Sequence, residues 1–147
     1  MHVFSKSAFK SVTGILVASS VVLSAMVLHY SCKKEDECVA GTGGAVAIAA
    51  FPQHHDKPII SHANYPDTAY VKFNTQEYPG PNASDYDLVI AGEEGEDHVH
   101  IPNLKCGDYY LYMTGLDTTI NQRVTGGIPI SFSQTSGELD EIVPVTE

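Results

Sequence analysis

The chain has 147 residues, 18 of them acidic and eight basic, giving a formal charge of −10 with no tryptophan. That length supports one domain with a real core. The negative charge argues against nucleic acid and anionic lipid surfaces as partners, because both need cationic side chains to replace their counterions.

Residues 1–10 carry Lys6 and Lys10 and no acid, and residues 11–28 form an apolar run softened by Thr13, Gly14, Ser19, Ser20 and Ser24. This is the pattern of a cleavable signal peptide. The alternative is a retained helix, for which 18 residues are barely long enough. Leu28-His29-Tyr30-Ser31-Cys32 resembles a lipoprotein signal, with a small residue before the cysteine and His29 where that pattern has leucine. The resemblance implies cleavage before Cys32 and its lipidation. Each buried methylene of the acyl chains then contributes about 0.8 kcal/mol, so two or more chains anchor the protein stably.

Lys33-Lys34-Glu35-Asp36-Glu37 follows directly, and a charged, mainly acidic tract at this place resembles the surface-export signal of Bacteroidota-type lipoproteins. Its simpler reading is a solvated tether. The expected organisation is therefore a signal peptide over 1–31, a lipidated cysteine and tether over 32–43, and one domain over 44–147. It implies an outer-membrane location, on the cell surface or on the periplasmic face. From Cys32 onward, all 18 acids face only six basic residues, a formal charge of −12.

With Cys32 lipidated, Cys38 and Cys106 remain as an even pair in an oxidising compartment, where a disulfide is the default. Two free thiols or a thiolate metal site are the rivals. A bond between them pins the start of the domain to the corner near residue 106.

Gly44–Phe51 is a first buried strand, and Pro52–Lys57, with His54 and His55, a polar loop. Ala69–Asn74 and Tyr86–Ala91 alternate in hydropathy and are separated by the turn cluster Pro79-Gly80-Pro81-Asn82. In the next strand Val99 and Ile101 share the core face and His98 and His100 the other. After a corner at Lys105–Asp108, with Gly107 supplying the turn, Tyr109, Leu111 and Met113 alternate with Tyr110 and Tyr112. Gly115–Asn121 reads as a loop. Arg123–Ser133 is a strand interrupted by Gly126-Gly127 and confined to an edge or a bulge by Pro129, and Glu141–Val145 is a last strand. Together these predict a single antiparallel β-sandwich of about seven strands, all-β, without an internal repeat.

Ile101, Leu104, Gly107, Tyr109 and Leu111 resemble the F-x-x-L-x-x-G-x-Y-x-L corner of small prealbumin-like sandwiches, among them transthyretin-like, Cna-B-like and carboxypeptidase-regulatory domains. Cys106 stands where those domains often carry proline. The resemblance covers about a tenth of the chain and implies a fold, not a function.

Three kinds of chemistry suit such a domain. Tyr110 and Tyr112, with Tyr70 or Tyr86, can form an aromatic platform for a protein or glycan partner, or can simply pack under a loop. His98 and His100, joined by His54, His55, His62 or the acids Glu93, Glu94, Glu96 and Asp97, can ligate zinc or copper, or can stand as solvated histidines. The acidic loop lacks the spacing of a calcium loop. Catalysis is not expected, since no nucleophile elbow and no Gly-rich phosphate loop is present, and the C-terminal Tyr-Arg-Gly-Ser tetrapeptide of the transthyretin-like hydrolases is missing. Asp67-Thr68-Ala69 and Asp117-Thr118-Thr119 resemble the O-glycosylation signal of Bacteroidota-type exported proteins. The leading expectation is a lipid-anchored, non-catalytic binding module, and the alternative is a metal-binding lipoprotein.

Overall fold

The computed structural model describes residues 38–147. The expected signal peptide, the lipidation expected at Cys32 and the charged tract at 33–37 lie outside the described residues. One sheet contains β1 (Thr42–His54), β2 (Lys57–Pro58), β5 (Val99–Leu104) and β8 (Ser136–Pro144). The other runs in the order β4 (Leu88–Ala91), β3 (Thr68–Phe73), β6 (Gly107–Asp117), β7 (Gln122–Phe132). The two pack as a sandwich, and among the described residues all strand pairs but one are antiparallel. The exception is β1 with β8, parallel from Ala45 opposite Ser136 to Gln53 opposite Pro144.

The sandwich core is built by the alternation read in the sequence. Val46, Ile48, Ala50, Val99, Ile101 and Leu104 meet Ala69, Val71, Tyr109, Leu111 and Met113, all buried. Pro129 lies in β7, at the end of its sheet order, where a missing N–H is tolerated. Three local expectations are corrected. Strand β6 continues to Asp117, and β7 passes through Gly126-Gly127 without a break in register. Strand β1 runs through Pro52 to His54 rather than ending in a loop.

The reason Pro52 fits lies in its neighbours. Its carbonyl accepts from Ile59 N at 2.9 Å. A residue's N–H and C=O point to the same side of a strand, so the missing N–H faces Ile59, one residue beyond the last β2 pair of Gln53 with Pro58, and not β8. No ladder bond is lost to β8.

The corner resembling prealbumin-like domains is held by Tyr109. Its buried hydroxyl donates its one proton to the Lys105 carbonyl, with the Gly41 carbonyl also within reach at 3.2 Å, and accepts from Gly41 N at 3.0 Å. Its ring stacks on Phe132 at 5.3 Å. Gly107, at φ 144°, lets the corner close on Ala40, whose backbone nitrogen lies 2.4 Å from where a Cβ would stand. Cys38 and Cys106 are joined by a disulfide, so the domain's first residues are pinned to this corner as expected.

The last residues tie the two sheets together. Val143 and Val145 are buried, Val145 N donates to Gln53 O, and Thr146 exchanges two backbone hydrogen bonds with Thr125 of β7. Gly126 makes room, since a Cβ there would stand 2.0 Å from the Pro144 carbonyl oxygen. This crossing brings Glu147 to the end of β1.

Candidate functional site

The outer face of the β4-β3-β6-β7 sheet is set by register. Tyr70 of β3 stands opposite Tyr112 of β6 and Val89 of β4, while Tyr112 and Tyr110 stand opposite Gly127 and Pro129 of β7. Directly opposite residues share a face, so Tyr70, Tyr110 and Tyr112 project from one side. Gly127 is spare space for Tyr110, whose ring and hydroxyl would lie within 3.0 Å of a Cβ placed there.

The connection between β3 and β4 folds back over this face and adds two more rings. Tyr86 packs on Tyr70 at 5.5 Å and on Tyr112 at 5.9 Å, and Tyr78 packs on Tyr110 at 5.8 Å and Tyr112 at 5.7 Å. Tyr86 is buried, whereas Tyr78 is 50% exposed. The connection is fastened by polar bonds. Tyr86 Oη donates to Gly80 O at 2.8 Å, the Asp85 carboxylate accepts from Asn82 N, and Asp87 accepts from Lys72 Nζ and Phe73 N. Burial, then the neighbouring phenols, pushes the Tyr86 and Tyr78 hydroxyls above the usual tyrosine range, and Tyr110 follows for the same reasons. All three stay neutral hydrogen-bonding groups at physiological pH.

The aromatic face opens at Tyr70 into a groove of about 240 Å³ that also contains Asn64, Tyr65, Thr114 and Arg123. Five clustered tyrosines beside amide, hydroxyl and guanidinium groups suit a ligand with both apolar faces and hydroxyls. Sequence reasoning found Tyr110 and Tyr112 with Tyr70 and Tyr86. It missed Tyr78, which lies in irregular chain without a period to reveal it.

The histidines do not form one centre. His98, just before β5, and His100, within it, both line an open cleft of about 560 Å³ with Glu93 and Glu96. Within it, however, His98 Nδ1 sits 3.1 Å from Asp97 and His100 Nδ1 is 3.2 Å from Glu138 of β8. His98 groups with Glu96 and Asp97, and His100 is in neither three-ligand group found among the described residues. His62 is bridged to Tyr65 and also belongs to neither. The second group is His54, His55 and Glu147. The loop histidines His54, His55 and His62 therefore do not gather with His98 and His100, which instead share their cleft with the acids Glu93 and Glu96.

His54 is buried and bonded to a carboxylate at each ring nitrogen. Nδ1 donates to Asp117 Oδ2 at 2.7 Å and Nε2 to Glu147 Oε2 at 2.9 Å. The Asp117 contact, and after it Glu147, holds the imidazole above its ordinary pKa against the opposing effect of burial. Asp117 is held well below the carboxylate range by Thr119 and His54. Of the two Asp-Thr tripeptides, one places Thr118 exposed in the β6–β7 turn and the other places Thr68 half-buried in β3.

Among the described residues, one buried acid has no hydrogen-bond partner. Both carboxyl oxygens of Asp67 lack a hydrogen bond, and the side chain lies against Gly115 and Ile59. Burial pushes its pKa up to about 6, opposed by the charge of His62.

Comparison with protein-family models, curated proteins and solved structures found no match to this chain.

Proposed function

We propose that this chain is a lipid-anchored, non-catalytic binding module whose tyrosine face takes a neutral glycan. The supporting observation is the cluster of Tyr70, Tyr78, Tyr86, Tyr110 and Tyr112 on one sheet face, with Tyr78 half exposed and Tyr70 lining a polar groove. Aromatic rings provide large contact area at low entropic cost, and their C–H-binding faces suit pyranose rings. The groove supplies Asn64 and Arg123 for hydroxyl groups. A charge of −12 from Cys32 onward disfavours polyanionic glycans. The anchor is Cys32, and the acidic tract after it suits display on the cell surface. The corner held by Tyr109 supports kinship with prealbumin-like sandwiches.

The test is retention on immobilised neutral polysaccharides, comparing parent with Tyr78→Ala and Tyr110→Ala. Each substitution is expected to weaken binding tenfold or more, about 1.4 kcal/mol. Equal retention of parent and variants, or retention by an immobilised protein partner alone, contradicts the glycan reading. Cys32→Ser is expected to release the chain from membranes, and a variant that still sediments with them points to a retained helix.

A further inference from the structure

We infer that His54, His55 and Glu147 form a zinc site, oriented from behind by Asp117, that uses no residue of the tyrosine face. In a regular strand, neighbouring residues point to opposite faces, so adjacent histidines do not normally converge. Here β1 ends at His54 and the chain turns at once through His55 and Asp56, with φ of 51° and 61°. A two-residue hairpin turn of this hand usually takes Asn-Gly. The left-handed backbone at His55 swings its ring beside that of His54, with 4.2 Å between centroids. The C-terminal crossing then delivers Glu147, and ligand atoms of all three residues lie within 4.8 Å of one another.

The charge and support fit a cation. His54 is only 5% exposed, so its Nε2 is held in place rather than free to swing. Asp117 at Nδ1 is the carboxylate that commonly fixes the tautomer of a metal-bound imidazole. Today a proton joins His54 Nε2 to Glu147 across 2.9 Å. Two ligands at zinc distances of 2.0–2.1 Å stand roughly 3.3 Å apart in a tetrahedron, so a zinc ion replaces that proton with little movement. The displaced proton leaves to solvent. Two imidazoles and a carboxylate suit zinc and leave a fourth position open. His54 and His55 line a cleft of about 200 Å³ whose other walls include Gln53, Asp56, Ile142 and Thr146.

The experiment titrates zinc into the full chain, produced without a histidine tag, in competition with a chromophoric chelator. His55→Asn keeps a residue that accepts positive φ, and Glu147→Gln changes an exposed side chain, so both variants retain the fold. One zinc per chain is expected for the parent, with affinity reduced tenfold or more in each variant and unchanged in His98→Ala/His100→Ala. No stoichiometric uptake by the parent overturns the site. So does parental affinity in either single variant, or loss of uptake in the His98/His100 double variant. Because glycan retention is read with Tyr78 and Tyr110, failure of either inference is distinguishable from failure of the other.

Discussion

Tyr86 lies over Tyr112 with 5.9 Å between ring centroids and 21° between their planes, so the β3–β4 connection is stacked onto the sheet it leaves. The two loop tyrosines therefore have different duties. Tyr86 is buried and clamps the connection, while Tyr78 leaves half of its ring in solvent.

Tyr86→Ala removes a buried aromatic and its bond to Gly80, and truncations of this kind cost about 3–5 kcal/mol. Tyr78→Ala is expected to cost less than about 1 kcal/mol, in keeping with an exposed ring. Urea denaturation of both variants checks the difference. Equal losses mean that Tyr78 is as structural as Tyr86.

Asp67 makes stability depend on pH in a definite direction. Its folded pKa of about 6 lies above its ordinary 3.8, so the unfolded chain releases the proton first as pH rises. Stability from this group is fully present below about pH 4 and is lost as pH climbs through 6, by up to about 3 kcal/mol. Asp67→Asn removes the titration. The variant's stability relative to parent is expected to be higher at pH 7.5 than at pH 4 by most of that amount, measured by denaturant midpoints at both pH values. A difference independent of pH refutes the assignment.

Much of the core was legible because alternation is a local signal. Val99 and Ile101 are buried opposite His98 and His100, and Tyr109, Leu111 and Met113 are buried opposite Tyr110 and Tyr112. Pro52 misled because proline marks a strand end only when its N–H is needed, and that depends on where β2 and β5 fall along β1. The parallel β1–β8 pair has no local signature, so neither it nor the delivery of Glu147 to His54 was visible. The aromatic site was partly legible, since Tyr110 and Tyr112 follow the period of β6. Tyr78 does not, because a loop's path over a face is decided by contacts such as Asp87 with Phe73 N.

The disulfide links residues 68 apart in sequence. In the chain-entropy model, closing such a loop contributes about 4 kcal/mol. Cys38→Ala/Cys106→Ala is expected to lose a stability of that order in urea, and the parent under reducing conditions to lose a similar amount. A loss below about 1 kcal/mol means that the contacts of Tyr109 with Gly41 and Lys105 already hold the corner unaided.

The most direct measurement of glycan binding by the tyrosine face exploits the absence of tryptophan: the intrinsic emission comes from tyrosine, and five of the eight tyrosines lie in the proposed site. Tyrosine emission of the full chain is followed while soluble neutral oligosaccharides of the cello, xylo and manno series are added, with ring NMR signals of selectively labelled tyrosines as the residue-level record. A saturable change confined to Tyr70, Tyr78, Tyr110 and Tyr112, and lost in Tyr78→Ala, is the predicted result. Unchanged emission and ring signals across all three series would contradict it.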